Sequence, residues 1–281
     1  MEIVDHRLVG ALRVDLFDHD AAGAVADGDA VFQTATIEAL LDGAYDGDLS
    51  VGELLEHGDL GIGTLDGLDG ELIVVEGAAF VARVDGSLHS VAGKVRTPFA
   101  VVCRFRPSIT ATLGACVSFD ALTEAVRGLA PDAPVLAVRL DGTFERLVVR
   151  SVARQRPPYP PLREVVAHQA EHHLTDVCGT LVGFCFPDRT GGLEVPGWHL
   201  HAVDDARTVG GHVMDVALAT GARVAIEATG DLHVEVPSQL GAVAVVADHA
   251  DQVDRADQDG RVADRRSEID AVEGRATPPR R

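Results

Sequence analysis

The sequence predicts an α+β chain dominated by short strands and turns and divided into two halves. Glycine is abundant at 29 of 281 residues while aromatics are only 4%, a balance that suits strands and turns better than a helical bundle. Asp-Gly pairs stand between apolar runs at Asp69-Gly70, Asp85-Gly86 and Asp141-Gly142. Such pairs signal hairpins because both residues tolerate the left-handed conformations of tight turns. Pro157, Pro158, Pro160 and Pro161 flank Tyr159, and a stretch so rich in proline continues neither a strand nor a helix. Each half opens with a helix and goes on in strands, which is compatible with two sheet domains. The expected division is residues 1–30 as an N-terminal extension, 31–156 as a first β-sheet domain, 157–246 as a second, and 247–281 as a partly disordered tail.

In order, Thr36 to Leu41 reads as a short helix stopped by Gly43, and Ser50 with Glu53 forms a capping box for a helix ending near His57-Gly58. Leu60–Leu65 and Leu68–Val75 are strands joined at Asp69-Gly70, and a second hairpin turns at Asp85-Gly86. Val101–Phe105 is a strand, and Leu122–Leu129 a helix. Val135–Leu140 and Leu147–Arg150 form a hairpin at Asp141-Gly142. Leu162–His173 reads as a helix, which puts His168, His172 and His173 on a polar helix face. Gly179–Phe186 is a buried strand, and later strands cover 213–219, 224–228 and 232–236. Ser267–Glu273 makes a helical turn or two.

The chemistry concentrates in Pro196-Gly197-Trp198-His199-Leu200-His201 and in Gly210-Gly211-His212. Residues i and i+2 of a strand share a face, so His199 and His201 reach one point. Asp204, Asp205, Gly210 and Gly211 read as the turn that brings His212 beside them. Three imidazoles with an open position are the ligand set of a catalytic zinc site, so one Zn²⁺ per chain is expected.

Composition bounds the partners. Asp+Glu total 44 against 24 Lys+Arg, a net charge of −20, which repels nucleic acid and anionic membranes. Lys94 is the only lysine, and an Asp-rich, Lys-poor surface suits high salt, where screening removes self-repulsion. The melting temperature is therefore expected to rise from low salt to molar KCl; equal values would refute salt adaptation. Cys103, Cys116, Cys178 and Cys185 form no C-x-x-C pair and read as small core residues. No leader or membrane span is read from the N-terminus or from any apolar run, so a cytoplasmic protein is expected.

Longer stretches carry a resemblance. Ala44–Gly47, Glu53–Thr64, Leu68–Glu71, Thr97–Ala100, Arg150–Val152, Gly179–Phe184 and His199–His212 together resemble the α-acetolactate decarboxylase family over roughly residues 33–275. The chain departs from that family at Ala202, where an aromatic usually follows the second histidine, and in a longer Asp-rich loop before Ser267. The resemblance implies two β-sheet domains with flanking helices and a metal between them. It implies decarboxylation of 2-acetolactate to acetoin and CO₂ without an organic cofactor. His199, His201 and His212 would hold the metal. Arg150 would grip the substrate carboxylate and Thr64 would contact substrate. Glu71 and Glu273 would move protons or add a metal ligand. A homodimer is compatible with this. The rivals are a cupin-like dioxygenase or isomerase, which also uses H-x-H on a strand, and a non-enzymatic ligand-binding module. Formation of acetoin from racemic acetolactate separates the three.

Overall fold

Short, continuous apolar runs broken by Gly and Asp give a molecule that, among the described residues, is built mostly of β-sheet with few and short helices. The computed structural model describes residues 5–9, 12–18, 30–188, 192–237 and 266–274. The N-terminal elements are β1 (Asp5–Val9), β2 (Leu12–Asp18), β3 (Val31–Thr34), α1 (Ile37–Leu41), β4 (Leu49–Ser50) and α2 (Val51–His57). Then come β5 (Leu60–Thr64), β6 (Glu71–Val75), β7 (Ala78–Ala82), β8 (Leu88–Ser90), β9 (Arg96–Thr97) and β10 (Phe99–Cys103). The chain goes on through β11 (Ile109–Thr112), α3 (Phe119–Arg127), β12 (Val135–Ser151), α4 (Leu162–Val166) and β13 (Ala170–Phe186). It ends in β14 (Gly197–Asp204), β15 (Gly210–Leu218), β16 (Arg223–Thr229), β17 (Asp231–Val236) and a helix over 266–272, α5.

Among the described residues the strands form two large sheets. One has nine strands in the order β1-β2-β17-β3-β10-β5-β6-β7-β8; the other has six in the order β11-β16-β12-β13-β14-β15. β15 also pairs with the second half of β12, so β12, β13, β14 and β15 close on themselves as a small barrel. One apolar cluster joins Ile62, Ile73 and Val101 of the first sheet to Val182, Phe184 and Val203 of the second. The opposite face of the second sheet packs on α3 through Leu122 and Val126, and the opposite face of the first on α2 through Leu54.

Local signals hold where they were local. Thr36 caps α1, and Ser50 with Glu53 forms the complete capping box of α2. Leu60–Thr64 pairs antiparallel with Glu71–Val75, and the turn at Asp85-Gly86 joins β7 to β8. A further tight turn at Glu76-Gly77, both with positive φ, joins β6 to β7.

Other expectations are overturned. Asp141-Gly142 is not a turn: β12 runs unbroken for 17 residues. Gly142 serves close packing there, since a Cβ would lie 2.7 Å from the Cβ of Ala222, and Asp141 is held in the sheet by Arg139 and Thr180. The helix over 162–173 stops at Val166, and Ala170 already belongs to β13. His172 and His173 therefore lie on a strand and His168 just past a helix end. Gly210 and Gly211 lie in β15 rather than in the turn, paired with Val203 and Ala202; a Cβ on Gly210 would meet the Ala202 carbonyl at 2.5 Å. The turn is closed by Asp204, whose carboxylate accepts from the Thr208 and Val209 amides.

The chain passes from the first sheet to the second between Cys103 and Ile109, and the proline-rich stretch links β12 to α4. β17 returns to the first sheet, beside β2 and β3, and residues 5–9 and 12–18 of the expected extension are strands of that sheet. Cys178 is exposed, unlike the other three cysteines. The Asp-rich segment 247–264 and residues 275–281 lie outside the described residues.

Candidate metal centre and active site

β14 and β15 put the histidines together. His201 and His212 are directly opposed across the pair, and His199 precedes His201 by two residues on the same face. The ring centroids lie 4.9–5.5 Å apart, and one ligand atom from each residue falls within 4.8 Å of the others. The His201 Nδ1–H donates to the Leu72 carbonyl at 2.8 Å. That bond fixes the tautomer and leaves the Nε2 lone pair facing the other two rings. Nε2 is buried without a hydrogen-bond partner among the described residues. Burial, then the neighbouring His199, holds the His201 pKa well below the ordinary imidazole value. A neutral, oriented, buried lone pair in a cluster of three imidazoles fits a divalent cation.

Three further elements bring charge to the cluster. β12 lies between β13 and β15, so Arg150 stands opposite His212 on one side and Glu171 on the other. Glu71 opens β6, and its carboxylate is 3.6 Å from His201 Nε2. Glu273 follows α5, anchored by its own N–H to the Ile269 carbonyl, with its carboxylate 3.6 Å from His212 Nε2. Burial pushes the Glu71 pKa up to about 7, against the opposing pull of Arg150 and with Glu273 adding to the rise. These side chains line one small cavity. Its polar side carries Thr64, Glu71, Arg150, His199, His212 and Glu273, and its apolar side Ile37, Leu40, Leu68, Phe99, Leu162 and Val272. A small anion could sit here with one end on the polar side and alkyl groups against the apolar one.

The structure thus brings all seven expected site residues to one place. The Thr64 hydroxyl also donates to the Gly70 carbonyl at 2.8 Å, which holds it in the hairpin. His168, His172 and His173 stay outside the cavity. Sequence reasoning missed Gln169, whose side-chain oxygen receives the Arg150 guanidinium, and Glu194. Glu194 had one visible signal, a lone carboxylate between Leu193 and Val195 just before the Pro-Gly-Trp-His run.

Glu194 is 1% exposed, and its carboxylate accepts from the Val195 amide at 2.8 Å. Burial raises its pKa to about 8, opposed by that amide and helped by Glu273. From about pH 4.5 to about 8 the folded form therefore keeps a proton that the unfolded chain has released, and stability falls as pH rises through that window. Glu194→Gln keeps the acceptor and does not titrate. It is expected to raise stability at pH 8 by more than about 1 kcal/mol and to leave it nearly unchanged at pH 4.5. Thermal melts at the two pH values check this; the same offset at both would contradict it.

The family model for alpha-acetolactate decarboxylase matches residues 31–241. The chain is 44% identical over 208 residues to the alpha-acetolactate decarboxylase of Methylococcus capsulatus, covering 74% of this chain and 80% of that one. The chain belongs to the alpha-acetolactate decarboxylase family. A second relative of that name, from Methanosarcina mazei, is 39% identical over 211 residues, 75% of this chain and 73% of that one. The crystal structure of the Bacillus subtilis strain 168 alpha-acetolactate decarboxylase superposes with a TM-score of 0.74 at 33% identity, covering 87% of this chain and 99% of that one. The family match includes Thr64, Glu71, Arg150 and the three histidines but ends before Glu273, which the fold brings beside His212.

Proposed function

We propose that this protein decarboxylates 2-acetolactate to acetoin and CO₂ at a metal centre held by His199, His201 and His212. The observation that carries the reading is the convergence of these three imidazoles, Arg150 and two buried carboxylates on one small cavity in a chain of this family. Zinc is the first choice of ion, because three imidazoles with open positions are its usual catalytic ligand set. The site would lie between two sheet domains, reached from one by the histidines and from the other by Glu71 and the Leu72 carbonyl. The domain division put forward is the expected one, adjusted for β1, β2 and β17 joining the first sheet and β11 to β12 the second.

The bond from the carboxylate carbon to the hydroxyl-bearing carbon breaks, CO₂ leaves, and the electron pair moves onto the adjacent ketone as an enediolate. A proton then returns to carbon to give acetoin. The bound ion supplies Lewis-acid stabilisation of the charge that develops on the ketone and hydroxyl oxygens. Arg150 binds the carboxylate through its planar fork and orients the bond to be broken. Glu71, beside His201, and Glu273, beside His212, carry the proton through their carboxyl oxygens. Thr64 borders the pocket beside Glu71, its opposite residue in the β5–β6 pair. The apolar wall of Leu40, Leu68 and Leu162 receives the methyl groups and limits water.

A cytoplasmic, salt-adapted enzyme, with a homodimer as its assembly, completes the reading. No helix among the described residues is long and apolar enough to cross a membrane. The cupin-like alternative is set aside, because the matched family is a different one. The deciding experiment supplies racemic acetolactate to the purified protein and measures acetoin before and after chelation. Acetoin should form, stop when the metal is stripped, and resume when zinc is restored. No acetoin from metal-loaded protein would end the reading.

A further inference from the structure

Arg150 is a long, flexible cation buried to 4% exposure, and a clamp needs a fixed fork. Its Nη1 donates to the side-chain oxygen of Gln169 at 3.1 Å, and its Nε has no hydrogen-bond partner among the described residues. The backbone explains why Gln169 can reach it. Arg150 stands opposite Glu171 in the β12–β13 ladder, and Gln169 lies two residues before Glu171, within diagonal cross-strand reach. The Gln169 backbone N–H donates to the Val166 carbonyl at 3.0 Å, which ties it to the end of α4.

An amide can turn by half a revolution, and only one orientation serves Arg150. The Gln169 side-chain NH₂ donates to Glu171 Oε1 at 2.9 Å. The reverse orientation would set NH₂ against the guanidinium and oxygen against the carboxylate, a clash of like partners on both sides. Glu171 thus fixes the orientation that presents oxygen to Arg150. The choice of amide over carboxylate also matters. A carboxylate touching Arg150 would hold it but would compete with the substrate for the same cation, whereas a neutral oxygen orients the fork and leaves its charge for the ligand.

We infer that Gln169 is a positioning residue for Arg150 and is itself oriented by Glu171. The inference rests on the reading of Arg150 as the carboxylate clamp. Gln169 does not line the cavity and would act only through the guanidinium.

The test uses the zinc-loaded full chain and two kinds of readout. Gln169→Leu removes the acceptor and is expected to lower kcat/KM for acetolactate about tenfold, the weight of one hydrogen bond to a charged group. Gln169→Glu keeps an acceptor but adds the competing charge, so KM should rise while kcat stays within about twofold. Glu171→Ala, at a position already exposed, should give a smaller loss, about threefold, as the amide is freed to turn. In an Arg150→Lys background, where the fork is gone, Gln169→Leu should cost much less than in the wild type. Side-chain ¹⁵N NMR without substrate should show restricted rotation of the Arg150 guanidinium in the wild type and in Gln169→Glu, and faster rotation in Gln169→Leu.

Unchanged kinetics and guanidinium rotation in Gln169→Leu, or equal losses in both backgrounds, would overturn the inference. If Gln169→Leu does not fold, the KM-only effect of Gln169→Glu and the loss in Glu171→Ala decide it. If the wild type forms no acetoin, the proposed function fails, and the guanidinium rotation still tells whether Gln169 holds Arg150.

Discussion

His199→Ala and His212→Ala are each expected to leave the purified protein without tightly bound metal and without measurable acetoin formation. Each removes one of three imidazoles from a cluster in which one ring nitrogen of each lies within 4.8 Å of the others. Losing one of the three imidazoles leaves two nitrogen donors, too few for tight retention of the ion, and the Lewis acid goes with it. A fall in rate of at least a thousandfold corresponds to about 4 kcal/mol of lost transition-state stabilisation. The two variants are informative together because their structural costs differ. His212 is 2% exposed, so its truncation also leaves a cavity in β15, whereas His199 is only half-buried. His201→Ala is the poorer test, because it also removes the bond to the Leu72 carbonyl. Elemental analysis of folded protein checks the result. One full equivalent of metal in either variant would move the metal away from the β14–β15 hairpin.

The part of this site that could be read from sequence is the part built by local geometry. His199 and His201 share a face because a strand alternates every residue, and the following strand returns His212 to their side. The Ser50–Glu53 box spans three residues and needs no tertiary context. The expectations that failed were local signals overruled by distant partners. Asp141-Gly142 is a strong turn pair in isolation, but β12 is held along its length by β13 on one side and by β16 and then β15 on the other. No stable turn can form where those ladders run through. The helix extended to His173 failed for a related reason: residues 170–173 pair with 148–151 and become strand. Glu273 meets His212 across 61 positions of chain, and the Arg150–Gln169 contact exists only because one ladder sets 150 opposite 171. Neither convergence leaves a periodicity in the sequence. Resemblance to the family supplied Glu273 and the role of Arg150; spacing alone did not.

Arg150→Lys is expected to be folded, metal-loaded and badly impaired. The arginine closes the apolar end of β12 and could be read as a surface ion-pair residue, where replacement by lysine would matter by at most about 1 kcal/mol. Its burial and its place in the cavity wall rule that role out. Among the residues lining the cavity it is the only arginine or lysine, so no neighbour takes over its charge. Arg139 is engaged with Glu76 and Asp141, and Arg154 lies on the surface near Asp69. Lysine keeps a positive charge but presents a point ammonium in place of two parallel N–H donors, so the carboxylate is held without a defined plane. Decarboxylation needs that plane, because the breaking bond must align with the ketone that accepts its electrons. A loss of about 3 kcal/mol in transition-state stabilisation lowers kcat/KM on the order of a hundredfold. Metal content should stay near one per chain, since the guanidinium is not a ligand. The melting temperature should fall only by the weight of the Gln169 bond, about 1 kcal/mol or a few degrees. Steady-state kinetics with acetolactate, elemental analysis and a thermal melt of the same preparation check all three. Near-normal kcat/KM with full metal would mean that the planar fork of Arg150 does not set the plane of the substrate carboxylate, and the proposed binding mode would have to be abandoned.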